Sequence, residues 1–290
     1  MDLEAVRVFL RVAELSSFTK AAEQLGLSKS RASLRVRALE EELGSHLFQR
    51  TTRAVRLTPD GEQLLARARR LVTEADDISA MFQAPSTLRG RVRVELPINI
   101  ARDYLIPRLP DFIATHPHLD IVLSTSDRRV DVVREGFDCV LRIGALGDSG
   151  LMARRLGALP MANYVSESYA QKHGSPKTLA DLDEHFVVHY SQSLVGEPVF
   201  EWEEGKKTRT RPMRSLVTVN NADAYEAACR AGLGIIQAPK WRRRDLLVEI
   251  MADHTCPAMP VTLLHAHGKN VPKRVRAVMT WLEHVVTEVL

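Results

Sequence analysis

The residues Ser17 to Glu62, SFTKAAEQLGLSKSRASLRVRALEEELGSHLFQRTTRAVRLTPDGE, constrain this chain more than any other stretch. They predict two short helices joined at a glycine, then a small two-stranded ribbon. Ser17 suits an N-cap, and Ala21, Ala22 and Leu25 give the first helix an apolar face small enough for a second helix to approach closely. Gly26 suits the left-handed position after a helix, where a side chain is strained. Leu27 follows as an apolar plug. Ser28 caps a second helix that runs to about Leu43 and stops at Gly44.

The second helix divides by face. Ala32, Val36, Leu39 and Leu43 share one stripe at the helical period. Ser30, Leu34 and Arg37 lie opposite, flanked by Ser28, Lys29, Arg31 and Ser33, side chains suited to base edges and phosphates. Leu47 and Phe48 return to the core, and Gln49 to Thr58 alternates as a hairpin bearing Arg50, Thr51, Arg53 and Arg56. Between Lys29 and Arg56 there are seven Lys or Arg against three acids, Glu40, Glu41 and Glu42, which sit at the far end of the helix. A glycine-turn helical hairpin and a solvated charge run are common on their own. The L-F-x-R-T-T-R and L-T-x-x-G strings, added to a basic face, single out a nucleic-acid reader.

Residues Met1 to Glu62 resemble the N-terminal winged helix-turn-helix of LysR-type transcriptional regulators. The likeness runs through Phe9-Leu10-x-Val-Ala, Ser17-Phe18-Thr19-x-Ala21-Ala22, Leu25-Gly26-Leu27-Ser28, Leu39-Glu40-x-x-Leu43-Gly44, Leu47-Phe48-x-Arg50-Thr51-Thr52-Arg53 and Leu57-Thr58-x-x-Gly61. It continues downstream over essentially the whole chain, and GFDCVLRIGALGDSGLMARRLG is most similar to the CrgA-like branch of the family. One departure lies on the groove face. Leu34 replaces the basic or amide residue usual there, and either touches a thymine methyl or removes a phosphate contact.

The 290 residues suffice for two or three compact units, and the net charge of only +4 means that nucleic-acid binding must come from the local patch. Cys139, Cys229 and Cys256 are far apart with no CxxC or His spacing, so they read as buried reduced thiols, with a redox sensor as the alternative. Met1 precedes Asp2 and Glu4 without a basic or apolar leader, and no stretch approaches a membrane span of about 20 apolar residues. A cytoplasmic protein without membrane contact is expected.

The expected fold is α/β: a winged helix-turn-helix over 1–58, a linker helix and hinge over 59–90, and a two-lobed, periplasmic-binding-protein-like effector domain over 91–290. Pro59 to Gln83 predicts one long helix with Leu64, Leu65, Ala68, Leu71, Val72 and Ala75 on an apolar stripe. With no partner expected inside a small DNA-binding domain, that stripe calls for a second copy of itself; packing on the chain's own domains is the alternative. The resemblance makes it a dimerisation helix. From Arg91, RVRVEL, a helix over Tyr104 to His116, DIVLSTS, a helix near Val130 to Glu135 and DCVLRIG spell βαβαβ. A second α/β run includes ANYVS, HFVVHY, LVTVN and GIIQAP, and Lys273 to Leu290 is an amphipathic helix returning to the first lobe. Lobe I is set at about 91–162 and 265–290, lobe II at about 163–264. The stretch Pro239 to Asp253 is several residues shorter than the family pattern.

Ligands in open α/β sheets bind outside the carboxyl ends of strands. Pro97, Ile98, Asn99 and Ile100 follow the first strand, Ser126 the second, Arg142 and Gly144 the third, with Tyr190 and Asn220 at strand ends of the second run. The resemblance puts a small-molecule inducer between the lobes, against these segments. Arg142 either holds a carboxylate or pairs with Asp127 or Asp138. Gly144 to Gly150 lacks the G-K-[ST] of a phosphate loop, and Gly232-x-Gly234 lacks a third glycine. His116, His118, His265 and His267 have no further ligands at metal spacing, and no H-E-x-x-H or G-x-S-x-G is present. An enzyme is therefore disfavoured, no metal or cofactor is expected, and the N-terminal module argues against a solute-binding protein. The resemblance implies an operator in duplex DNA, a small-molecule effector, homodimers and tetramers, and RNA polymerase as partners.

Overall fold

The computed structural model describes residues 1–50, 55–81, 88–147, 150–205, 207–240, 247–268 and 270–290. They form two compact units, Met1–Gly90 with Val133–Gly136, and Arg91–Val132 with Phe137–Leu290.

In the first unit, α1 (Leu3–Leu15), α2 (Phe18–Gln24) and α3 (Lys29–Leu43) precede a ribbon of β1 (Phe48–Arg50) and β2 (Val55–Leu57). Each helix begins where a side chain accepts an otherwise orphaned N–H: Asp2 from Glu4, Ser17 from Lys20 and Ser28 from Arg31. Gly44 closes α3 in the left-handed conformation, φ 65°. The strands pair antiparallel, Phe48 against Leu57 and Arg50 against Val55. Thr51 and Arg53 lie outside the described residues. Thr58 then caps α4 (Pro59–Met81) by accepting from Gly61 N at 3.0 Å, while its hydroxyl donates to His46 O. The glycine of L-T-x-x-G has a steric cause, because a Cβ on Gly61 would lie 2.1 Å from Leu47 O.

Two expectations are corrected here. Leu43, assigned to the core stripe of α3, is exposed, and Glu40 is buried instead. Helix α4 was expected to lack a partner in its own domain, yet Ala68 is buried in the core formed by α1–α3, with Leu64, Leu65 and Val72 packed against it. Arg7 of α1 also pairs with Asp76 of α4. Three core helices this short leave the outer side of α1 bare, and the stripe of α4 is wide enough to cover it. Leu71 at 39 % and Ile78 at 53 % exposure remain outside that contact.

The second unit opens with a five-stranded sheet in the order β4 (Leu119–Thr125), β3 (Gly90–Leu96), β5 (Cys139–Ile143), β14 (Met259–His265), β6 (Met152–Leu159). β3 and β5 are parallel, and β14 is antiparallel to both β5 and β6. The segment after β3 runs from Ile98 as a short α5 (Ile98–Ile100), a π turn to Leu105, a 3₁₀ turn to Arg108 and α6 (Leu109–Thr115). It starts earlier than Tyr104 and is broken up. Pro107 and Pro110 cannot donate to an α-helical ladder, so the turns change pitch around them. α7 (Val132–Glu135) precedes β5.

The second lobe contains β7 (Met161–Ser166) between β12 (Ile236–Pro239) and β13 (Leu247–Ile250), all antiparallel, and a parallel pair of β8 (Phe186–Tyr190) and β11 (Arg214–Val219). α8 (Glu167–His173) follows β7, the hairpin β9 (Val199–Glu204) and β10 (Lys207–Pro212) stands apart, and α9 (Ala222–Arg230) precedes β12. α10 (Lys273–Thr287) buries Val275, Val278, Leu282 and Val285. The lobe division is corrected on one point. β14 was assigned to lobe II, but its ladder lies in the first sheet, so the chain crosses back between Ile250 and Met259 rather than after Leu264.

Candidate nucleic-acid interface and effector cleft

On α3, Lys29, Ser30, Arg31, Leu34 and Arg37 are exposed on one side while Ala32, Val36 and Leu39 are buried on the other. Arg56 on β2 is exposed as well. Ser28 caps the helix and its hydroxyl lies 3.0 Å from that of Ser30, so the start of the exposed face is held rigidly. Leu34 is 63 % exposed, the largest apolar surface on this side.

Arg50, Ser33 and Arg35 take other roles. The buried Glu40 accepts from Leu47 N at 2.8 Å and Phe48 N at 3.2 Å, while its second oxygen pairs with Arg50 at 3.3 Å. Arg50 also donates to Ser33 Oγ at 3.0 Å and stacks over the Phe18 ring at 4.4 Å. The wing is thereby bolted to both helices of the turn. Arg50 and Ser33 build the surface more than they extend from it. Arg35 pairs with Glu4 at 3.2 Å. Of the described cations on α3 and the ribbon, Lys29, Arg31, Arg37 and Arg56 are left without an ion pair, all exposed.

In the second unit a cavity of about 590 Å³ lies between the two lobes. Its walls include Pro97, Asn99, Ser126 and Arg142 from the first lobe and Tyr190 from the second. Ile98, Ile100, Gly144 and Asn220 do not line it. Ile100 is in the core because α5 begins directly after Pro97, which turns Asn99 inward to the cavity and its neighbours away. Asn220 is exposed and accepts from Asn221, whose own side chain caps α9. Asp127, Arg129, Gln192, Tyr225, Glu226 and Gln237 complete the polar wall among the described residues. Gln237 carried a usable signal, an amide inside the apolar strand GIIQAP. Its side chain is taken up by Asn163 and the backbone of Glu201.

Asp127 links the lobes: its carboxylate accepts from Ala222 N at the start of α9, at 2.6 Å, and its carbonyl accepts from Gln192. Among the described residues Arg142 is not paired to Asp127 or Asp138 by a hydrogen bond, and its Nη2 is buried without a partner, as is Asn99 Oδ1. Burial pushes the Arg142 pKa down, opposed by nearby Glu95 and Asp127. Burial also raises Tyr190 to about 12, so it enters the cleft as a neutral phenol.

Two family models match the chain: "Bacterial regulatory helix-turn-helix protein, lysR family" over residues 3–62 and "LysR substrate binding domain" over 85–287. The chain is a LysR-type transcriptional regulator. It is 36 % identical to the uncharacterized HTH-type transcriptional regulator YhjC of Escherichia coli, over 99 % of each chain. It is 33 % identical to an HTH-type transcriptional repressor of Pseudomonas aeruginosa, over 99 % of this chain and 92 % of that one. The structure of CrgA, a LysR-type regulator from Neisseria meningitidis, matches at a TM-score of 0.58 and 26 % identity, covering 98 % of both chains.

This LysR-type regulator thus combines a DNA-binding helix-turn-helix with a substrate-binding domain, and belongs to a family of regulators and not of enzymes. No helix among its described residues is long and apolar enough to cross a membrane. Its three cysteines are buried and free of disulfides. Burial raises the Cys256 thiol to about 11 and Cys139 further still, which favours the thiol over the thiolate at both.

Proposed function

We propose that this regulator reads an operator with the exposed face of α3 and the wing, and that a small-molecule effector in the inter-lobe cavity sets its occupancy. The observation that carries the effector reading is the pair of buried, unpartnered polar atoms, Arg142 Nη2 and Asn99 Oδ1, on the wall of one cavity shared by both lobes. A ligand that touches both lobes binds the closed arrangement better than the open one and shifts the population toward it. A coupling of about 1–3 kcal/mol is enough to change occupancy several-fold. The protein acts in the cytoplasm, as a homodimer or tetramer, with RNA polymerase as the downstream partner; its DNA module and its likeness to bacterial regulators support this.

Asn99→Ala and Arg142→Ala are expected to abolish the response to inducing metabolites while leaving basal operator binding near normal. Genomic footprinting with and without candidate metabolites measures both. Loss of basal binding together with the response would assign these residues to the fold and sink the effector reading.

Dimerisation is proposed through the part of α4 that its own domain leaves uncovered. Leu71→Glu with Ile78→Glu places charges in a paired apolar seam, which is strongly unfavourable. Sedimentation of this double variant should show monomers; an unchanged oligomer would move the interface elsewhere. Leu64 is unsuitable for this test because it packs against the DNA-binding core.

A further inference from the structure

We propose that the cavity takes a small monocarboxylate with a hydrogen-bond donor on an apolar skeleton, of which a 2-hydroxy acid is the simplest form. This rests on the effector reading above and adds the chemistry of the ligand.

Buried polar groups are almost always paired. Two orphans on one cavity wall therefore mark positions for ligand atoms. Arg142 Nη2 can only donate, so it asks for an acceptor; Asn99 Oδ1 can only accept, so it asks for a donor. No single apolar or purely anionic ligand satisfies both.

The sign of the ligand follows from how the nearby charges are used. Asp127 is occupied by Ala222 N at 2.6 Å, and Glu226 by Arg230 at 2.7 Å. Glu95, buried behind the wall, accepts from Ser126 Oγ at 2.6 Å, and its other oxygen is unpartnered. The charges that act on Arg142 are those of Glu95, Asp127, Arg128 and Arg129. The planar guanidinium of Arg142, with its Nη2 unpartnered, suits a ligand carboxylate. Desolvation disfavours the charged form of Arg142, and an adjacent anion would restore it. The rest of the wall is apolar: Val130, Leu146, Met161, Ile236 and Met259, beside Tyr190 and Tyr225 packed edge to face at 5.4 Å. It suits a branched aliphatic or aromatic body.

The test is calorimetric titration of the full-length protein with two matched sets: mandelate, phenylacetate and mandelamide, and 2-hydroxy-4-methylpentanoate, 4-methylpentanoate and the hydroxy amide. In at least one set the hydroxy acid should bind at least tenfold more tightly than its amide and than its deoxy acid. Arg142→Gln should erase the preference for acid over amide, and Asn99→Leu the preference for hydroxy over deoxy acid alone. A collapsed cavity would lose every ligand together, so these separate losses report contact. An amide bound as tightly as its acid, or no binding by any member, overturns the ligand class. Ala145→Trp, at an exposed position on the cavity wall, separates the two readings. Binding with unchanged preferences in that variant would remove the cavity as the effector site. Binding lost in the variant, but with acid and amide equal in the parent, would leave the cavity standing and refute the class.

Discussion

Raising salt from about 50 to about 200 mM should weaken operator binding about a thousandfold. Lys29, Arg31, Arg37 and Arg56 are the exposed cations of the reading side, and none has an intramolecular ion pair among the described residues. If a dimer neutralises about six phosphates, log K falls against log salt with a slope of about −5, and a fourfold rise in salt compounds to about 10³. The net charge of +4 is too small and too evenly spread to produce such a slope in bulk, so the steepness reports the patch. Fluorescence anisotropy with an operator taken from footprinting measures it. A slope shallower than about −2 would mean that α3 and the wing do not meet the phosphates together.

Glu40→Leu should destabilise the DNA-binding unit by about 2–4 kcal/mol, at about 1–3 kcal/mol for each buried backbone N–H left without its acceptor. The carboxylate satisfies Leu47 N, Phe48 N and the Arg50 guanidinium at once, and the two buried backbone groups have no ready substitute. At about 4–8 °C per kcal/mol for a unit of this size, the unit's melting transition should fall by at least about 8 °C. Glu40→Gln should cost less, because its amide oxygen still accepts from the backbone. Calorimetry of the full chain reads both. If Glu40→Leu melts like the parent, the Glu40–Arg50 bolt does not hold the wing.

The local structure of the first unit was largely legible. Ser17 and Ser28 cap the helices they were read to cap, and Gly26 adopts the left-handed conformation assigned to it, φ 64°. These features are legible because capping depends on residues within about one turn of each other. Arg50 shows where that legibility stops. As a sequence letter it is one more cation in a basic ribbon. Its partners Phe18, Ser33 and Glu40 are 10 to 32 positions away, and only their convergence makes it a strut between the wing and the helices. The cleft behaves likewise. Strand ends located Pro97, Asn99, Ser126, Arg142 and Tyr190 on its wall, but the same rule included Ile98, Ile100, Gly144 and Asn220, which lie elsewhere. A strand end specifies a neighbourhood; the helical phase after Pro97 decides which of three consecutive side chains points in.

The sequence by itself determined the family, the helix and strand types, the caps and the placement of basic side chains on the exposed face of α3, because these follow from residue type and short-range period. The tertiary structure decided what covers each apolar surface. The stripe of α4 has the same 3.6-residue period whether it meets α1 or a second copy, and only packing shows that Leu64, Leu65, Ala68 and Val72 are taken by α1–α3 while Leu71 and Ile78 are left over. It also decided that β14 joins the first sheet, since an apolar strand carries no mark of which edge it will pair with. Periodicity encodes that a face must be buried. The choice of partner is a long-range competition settled by shape, register and the crossings the chain can make.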